Sequence, residues 1–153
     1  NSYRLLSEIC DVVLADQRKV TRLSQVIISE LKLNIPIPTD EDYIRRYCGV
    51  LLLPRECSEM ALKLVGAVKE GDYPNTRGSA LNAVVVLMAT RLCDIESPPI
   101  ALIASKSQQN ILRLYKAVYT NCDAVLVSAY KDKPRMASKV ILKLVQKLDP
   151  KFL

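Results

Sequence analysis

One segment near the middle of the chain is apolar on every side, and it constrains the fold more than any other. Residues 79–92 have the sequence SALNAVVVLMATRL, in which Asn82 is the only polar residue between Ala80 and Ala89. A helix without a polar face is typical of the centre of a bundle. A buried strand is the alternative for the three valines, but the alanines, the methionine and the lack of a second strand-like run favour a helix. The apolar run is too short for a membrane span, which needs about 20 residues. We therefore expect an all-α fold around this helix.

The composition argues against most catalytic sites. The chain has 153 residues, enough for one domain and part of another. Its net charge of +6, from 22 Lys and Arg against 16 Asp and Glu, suits an anionic partner. Histidine, the commonest general base and a common zinc ligand, is missing. A glycine-rich phosphate loop and paired carboxylates in apolar surroundings are missing too, so we expect no catalytic residues, no metal and no cofactor.

The cysteines indicate the redox compartment of the protein, and the first residues indicate whether the sequence is a fragment. The five cysteines are odd in number and never spaced as C-x-x-C, and each lies in or beside an apolar helical run: Cys10, Cys48, Cys57, Cys93 and Cys122. This pattern predicts small buried side chains in a reducing compartment. No signal peptide is visible, and the sequence starts within a helical pattern and without Met, so we expect a fragment of a longer protein.

Apolar residues recur at helical spacing along the rest of the chain. We predict helices over 3–14, 17–33 with Asp16 as cap, from the cap Thr39 to about 51, from Pro54 to the stop at Gly71, 79–92, 100–105, a helix with inner face 111–119, and 134–148. The prolines in 34–38 end the second of these helices. The predicted domain boundaries are 1–33, 39–128 and 131–153.

The segment 100–119 has a helix-turn-helix pattern. A short helix is followed by the polar link Lys106–Gln109 and by a longer helix. Many such pairs only pack against their neighbours, so the shape alone leaves both DNA binding and a structural role open.

The C-terminal segment is basic. Residues 131–153 contain seven Lys or Arg and two Asp, and Lys139, Lys143 and Lys147 recur at a spacing of four. A solvated helix face is the ordinary interpretation, and a face toward phosphate or a protein partner is the functional one.

Two stretches of the chain match without a gap at an offset of 91 residues. Residues 7–27 and 98–118 share apolar positions and also polar residues in and after the turn: Ile9/Ile100, Val12/Ile103, Gln17/Gln108, Val20/Ile111, Arg22/Arg113, Leu23/Leu114 and Ile27/Val118. The match predicts a helical unit of roughly 90 residues that occurs twice, with only the end of the first copy present.

Four motifs resemble the core of transcription initiation factor IIB, a family with two cyclin-like repeats of five helices. The sequence DYIRRYCGVLLLP of Asp42–Pro54 is similar to the opening of the family's second repeat. The sequence SEIC of Ser7–Cys10 is similar to the start of the fourth helix in the first repeat. Leu87–Thr90 resembles the end of the third helix, and Tyr115–Tyr119 resembles the fifth. The motifs occur in the right order within residues 7–124, which implies a cyclin-like repeat preceded by the last two helices of another.

The resemblance implies a nuclear scaffold in transcription initiation, with promoter DNA, the TATA-binding protein and RNA polymerase as partners and no role for a membrane. The family's second helix-turn-helix enters the DNA major groove, and its base-contacting positions correspond to Gln109 and Leu112. The family usually has a small apolar residue and an arginine there. Gln109 can pair with adenine, but Leu112 cannot make arginine's contact to guanine. We therefore expect little sequence-specific contact here.

The residues expected to contact DNA are mostly cations suited to its phosphates: Arg77, Lys106, Gln109, Asn110, Arg113 and Lys116, with Arg18, Lys19 and Arg22 at the equivalent place in the first repeat. The predicted partner-binding residues are Lys139, Lys143 and Lys147. The alternative is a cyclin-fold adaptor or kinase-regulating module that binds proteins only, with the C-terminal helix docking through Val140, Leu144 and Leu148.

Overall fold

The computed structural model describes residues 6–36, 38–71, 78–104, 106–131 and 138–150. Within these ranges the chain forms nine helices and no strand: α1 Leu6–Val12, α2 Gln17–Glu30, α3 Asp40–Val50, α4 Arg55–Glu70, α5 Ser79–Leu92, α6 Ile100–Ile103, α7 Gln108–Tyr119, α8 Cys122–Ala129 and α9 Ser138–Lys147. The predicted all-α, cyclin-like fold class is confirmed. Among the helices described, none has both the length and the apolar character needed to cross a membrane.

The chain divides into two compact units, Asn1–Thr39 and Asp40–Leu153. The first unit contains α1 and α2, and the second contains the seven helices from α3 to α9. The assignment of residues 1–33 to one cyclin-like repeat, 39–128 to the next and 131–153 to an added basic helix remains a prediction.

Helix α5 is the centre of the second unit, as its sequence predicts. Every residue from Leu81 to Thr90 is buried, and α3, α4, α6, α7 and α9 all contact this helix. Because protein covers all sides of α5, no face of the helix contacts water and none needs polar residues. The sequence-based prediction of a central helix over 79–92 is therefore confirmed.

Asn82, the only polar residue between Ala80 and Ala89 of α5, joins three helices. The amide of Asn82, which is fully buried, donates a hydrogen bond of 2.8 Å from Nδ2 to Asp40 Oδ1 at the start of α3. Lys69, near the end of α4, forms an ion pair with the same carboxylate. Burial alone would raise the pKa of Asp40, but the hydrogen bonds from Lys69 and Asn82 outweigh it, and the pKa lies below its ordinary value. The ionised form of Asp40 thus holds α3 and α4 on α5.

Four of the described helices end in the same way, with a non-glycine residue in the left-handed region. Each of these residues lies two positions beyond its helix, and the next N–H bonds to a carbonyl five residues back: Leu14, Lys32, Leu52 and Asp94. This is the Schellman arrangement, which satisfies carbonyl groups at the helix end. Glycine usually occupies the left-handed position of this arrangement, so these four turns cannot be predicted from the sequence.

Helix α9 packs on α8 and α5 within the second unit. Leu148, just after it, is fully buried, and its carbonyl accepts a 2.8 Å hydrogen bond from the Tyr115 hydroxyl of α7. Arg91 Nη1 donates to the Asp149 carbonyl at 2.9 Å. Lys147 Nζ contacts both carboxylate oxygens of Asp94, at 2.6 and 2.7 Å. Helix α9 is therefore part of the same folded unit as α3–α8.

Several predicted helix boundaries differ from the structure. Pro54 is the residue before α4 and not its first, because its ψ of 151° is extended. Helix α6 ends at Ile103 rather than about 105. Helix α8 was not predicted, because its eight residues are mostly apolar and show no clear period. The predicted start of the last helix at Pro134 lies outside the described residues.

Candidate nucleic-acid interface

Helices α6 and α7 form the helix-turn-helix that the sequence predicts. Ser107 precedes α7 as its cap, and its Oγ accepts the N–H of Asn110 at 3.3 Å. Ile111, Tyr115 and Val118 are buried, and α7 contacts α5. This packing fixes which side of α7 faces solvent.

The outer side of α7 is a row of exposed polar and basic residues. Gln109, Asn110, Arg113 and Lys116 are all exposed, and their spacing of three and four residues puts them on one side of a helix. Lys106 is exposed just before the cap. None of the ion pairs within the described part of the chain involves Lys106, Arg113 or Lys116. We call these five residues the α7 cationic face.

Leu112 does not belong to the α7 cationic face. It is half-buried and lines a groove beside α6. Adjacent helical residues are rotated by ~100°, so Leu112 does not share the position of Arg113 around the helix, although it lies one turn from Gln109 and Lys116 at the edge of the α7 cationic face. Arg113 therefore does not take the place of the arginine that the resemblance implies at position 112.

The first unit has a comparable arrangement on α2. Helix α2 begins at Gln17 and α7 at Gln108, which are paired in the sequence repeat. A side-chain cap precedes each helix, and Asp16 Oδ1 accepts the N–H groups of Arg18 and Lys19 at 2.9 and 3.3 Å. The side chains of Arg18, Lys19 and Arg22 are exposed. Both units thus present basic residues on the helix after a capped turn.

The remaining predicted site residues fall into different situations. Arg77 lies outside the described residues, as does the side chain of Lys139. Lys143 is exposed on α9. Lys147 is held in the ion pair with Asp94, so it already has an anionic partner within the chain. A partner-binding role for the three lysines remains a prediction.

Cysteines and acidic residues of the described part form no cluster suited to a metal ion. Cys10, Cys48, Cys57 and Cys122 are buried and Cys93 is half-buried, and all five are free thiols. Burial raises the pKa of Cys57 to about 12, and the nearby thiols Cys93 and Cys48 contribute to the rise. Burial, followed by the Asp123 carboxylate, raises the pKa of Cys122 to about 11. These two thiols are therefore protonated at neutral pH.

The groove beside α6 was not predicted from the sequence. Its apolar lining comes from three places, namely α5, the Pro98-Pro99 segment with α6, and the start of α7. Residues so far apart in the chain give no common periodicity. The available signal was the run of four apolar residues in α6, because a short helix without a polar residue leaves an apolar one, here Leu102, in contact with solvent.

The comparisons with known proteins point to one family. No family model matches the chain. The chain is 28% identical to transcription initiation factor IIB of Sulfurisphaera tokodaii over 116 residues, which are 74% of this chain and 38% of the relative. It is 28% identical over 128 residues to transcription initiation factor IIB 2 of Haloferax volcanii, covering 82% and 39%. It is 23% identical over 131 residues to the Mus musculus factor, covering 84% and 42%. The chain therefore spans about two fifths of the length of the curated relatives it matches, and the resemblance predicted from the motifs is confirmed.

Proposed function

We propose that this chain, which resembles a divergent core of transcription initiation factor IIB, is a general transcription initiation factor core. In this role it binds promoter DNA together with the TATA-binding protein and helps to recruit RNA polymerase. In a eukaryotic cell the role belongs in the nucleus. The observation that supports it most is the α7 cationic face, in which exposed cations that form no ion pair with any described residue lie on a capped helix of a helix-turn-helix. A noncatalytic function agrees with the names of the relatives.

The proposed contact with DNA is mainly to the phosphate backbone. Lys106, Arg113 and Lys116 are suited to phosphate oxygens, and Asn110 can donate an amide hydrogen bond to them. Gln109 is suited to the N6 and N7 edge of adenine, whereas Leu112 has no polar group for guanine. Binding should then depend strongly on salt and only weakly on sequence. Specific placement on a promoter would come from protein partners.

The second contact surface in this proposal is α2. Arg18, Lys19 and Arg22 correspond to the start of α7 in the repeat, so the two units would each hold a stretch of backbone. Each phosphate that a basic residue neutralises makes the slope of log K against log salt steeper by about 0.9. The basic residues of both units would therefore each contribute to the measured slope of log K against log salt.

A double variant tests the role of the α7 cationic face. Lys106→Ala with Arg113→Ala should weaken binding to a promoter duplex that carries the TATA-binding protein. The slope of log K against log salt should become less steep by about 1.8. Fluorescence anisotropy of labelled DNA over a range of salt concentrations measures both quantities. The control is Arg45→Ala with Arg55→Ala, which removes the same charge from two exposed arginines on α3 and α4.

The control pair should bind with nearly the wild-type slope, since its arginines lie on other helices and are paired with Glu41 and Glu59. If both double variants change the slope equally, net charge is responsible and α7 is not the contact. If wild-type affinity for DNA shows no salt dependence, the proposal fails. The protein-only adaptor, favoured by Leu112 at the usual arginine position, would then be the better function.

A further inference from the structure

Two cysteine side chains from different helices lie next to each other in the second unit. Cys57 is in the first turn of α4, and Cys93 follows α5 directly as its C-cap residue. Their thiols are within hydrogen-bonding reach, since the charge of Cys93 and a hydrogen bond with it add to burial in raising the pKa of Cys57. Cys48 of α3 also acts on Cys57, but through charge alone, and its own thiol is hydrogen-bonded to Ser58. Cys93 is therefore the closer partner of Cys57.

The two thiols differ in their access to solvent. All five cysteines belong to the described part of the chain, and Cys93 is the only one of them that is not buried. Cys57 is fully buried in the core of the unit. An oxidant dissolved in water therefore reaches Cys93 first, and a product formed there has the Cys57 sulfur beside it.

A role in packing alone does not account for this pair. Buried cysteines commonly act as small apolar side chains, and Cys10 and Cys122 need no other explanation. A thiol that reaches solvent, with a second thiol within reach of it, is the arrangement in which one cysteine is oxidised and the other resolves it. In a reducing compartment a disulfide of this kind is transient and senses oxidants.

We propose that Cys93 and Cys57 form a site of reversible oxidation, at which hydrogen peroxide converts the two thiols into a disulfide between α4 and α5. The ionised Cys93 sulfur attacks one oxygen of the peroxide, and the O–O bond breaks. The hydroxide that leaves combines with the proton released by the thiol, which gives water and a sulfenic acid on Cys93.

The second step forms the disulfide. The ionised Cys57 sulfur attacks the Cys93 sulfur, the S–O bond breaks, and the hydroxide that leaves takes up the Cys57 proton as a second water. The two sulfurs together lose the two electrons that the peroxide gains. A dithiol such as dithiothreitol restores both cysteines by thiol–disulfide exchange.

Burial makes the second step slow. It is the main cause that raises the pKa of Cys57 to about 12, so at neutral pH nearly all of this thiol is protonated and a poor nucleophile. The sulfenic acid on Cys93 should therefore persist long enough to be trapped by dimedone. Neither cysteine belongs to the α7 cationic face, so this proposal does not rest on the DNA proposal.

Mass spectrometry of the peroxide-treated full chain tests the proposal. Without reduction, the wild type should become lighter by two hydrogen atoms and remain monomeric, and a tryptic digest should contain the two peptides joined through Cys57 and Cys93. Dithiothreitol should restore the original mass. Because the cross-link restricts the unfolded chain, the oxidised protein should also unfold at a higher urea concentration than the reduced protein.

Variants assign the role of each thiol. Cys57→Ala should lose the disulfide, and dimedone labelling of Cys93 should rise several-fold because the resolving thiol is missing. Cys93→Ser should lose both products. The matched controls are Cys48→Ala, which removes the other neighbouring thiol, and Cys122→Ala, which removes a buried thiol of α8. Both controls should form the disulfide as the wild type does, and circular dichroism establishes that each variant folds.

Four outcomes would overturn the proposal. One is the absence of oxidation at Cys93 in the folded wild type. Another is oxidation of Cys93 to the sulfinic acid without any disulfide. The third is a disulfide between two chains, which would mean that Cys57 does not resolve Cys93. The fourth is loss of the disulfide in a folded Cys48→Ala variant, which would make Cys48 the partner.

Discussion

At the residue scale, Leu52 has a backbone conformation that a leucine adopts only at a cost. Its φ is 52° and its side chain is 90% exposed, so burial does not compensate for the left-handed geometry. That geometry costs an L-residue roughly 1–2 kcal/mol, and glycine avoids it. Leu52→Gly should therefore raise the free energy of unfolding by about 0.5–1 kcal/mol, measured by urea denaturation.

The control for this change is Val127→Gly, at an exposed site inside α8. Glycine in a helix costs about 1 kcal/mol through backbone entropy, so this variant should be less stable than the wild type. If glycine destabilises equally at both positions, Leu52 is not under strain in solution.

Cys57 makes stability depend on pH at the alkaline end. Burial is the main cause that raises its pKa from 9.0 to about 12, so the folded chain keeps the thiol neutral while the unfolded chain ionises it. The stabilisation is complete below pH 9 and is lost as the pH rises from 9 toward 12. Urea unfolding at about pH 8 and about pH 10 should show a smaller decline in Cys57→Ala than in the wild type. Identical declines would mean that Cys57 does not contribute, since Cys122 and Tyr115 have raised pKa values in both proteins.

At the element scale, the cap of α7 links stability to the proposed DNA contact. Ser107→Ala removes the acceptor for the N–H of Asn110 and should cost about 1 kcal/mol of unfolding free energy. Ser107→Asp keeps a capping oxygen and adds a negative charge next to Lys106, so it should retain stability yet weaken DNA binding. Urea denaturation and anisotropy on the two variants separate these effects. Equal DNA affinity of the Asp variant and the wild type would contradict a phosphate contact at this turn.

The elements that the sequence predicts well are those specified by local chemistry. The length of α5 follows from its apolar residues, and the start of α2 follows from Asp16, whose side chain accepts two N–H groups of the first turn. The turn after α3 was not predicted, because Leu52 in the left-handed region looks like any other leucine in a sequence. Local propensity there is overridden by the packing of the helices on either side.

Contacts between distant residues account for the other omissions. The exposed cations of α7 were expected, since solvent-facing positions follow from the helical period. The ion pair of Lys147 with Asp94, 53 residues earlier, was not predicted, and a partner-binding role for Lys147 remains a prediction. No pattern in the sequence pairs these two residues. The groove beside α6 is of the same kind, since its walls come together only through the packing of three helices.

At the scale of the whole molecule, burial is unevenly distributed among the helices. All residues of α5 from Leu81 to Thr90 are buried, whereas α2 has no buried residue. Helix α9 is intermediate: Leu148 is fully buried beside it, while Val140 and Leu142 are exposed. Local opening costs least where few apolar contacts are lost. We therefore expect amide hydrogen exchange to be slowest in α5, intermediate in α9 and fastest in α2.

One substitution tests whether α9 opens separately from the rest of its unit. Tyr115→Phe removes the hydroxyl that donates to the Leu148 carbonyl and leaves that carbonyl without its partner in a buried place. A lost hydrogen bond of this kind costs about 1 kcal/mol, so α9 amides should exchange roughly fivefold faster. Amides of α3 and α4 should keep their wild-type rates if α9 opens alone. Equal acceleration in α3, α4 and α9 would instead show that the second unit opens as a single cooperative body, with the C-terminal helix as an integral part of its core.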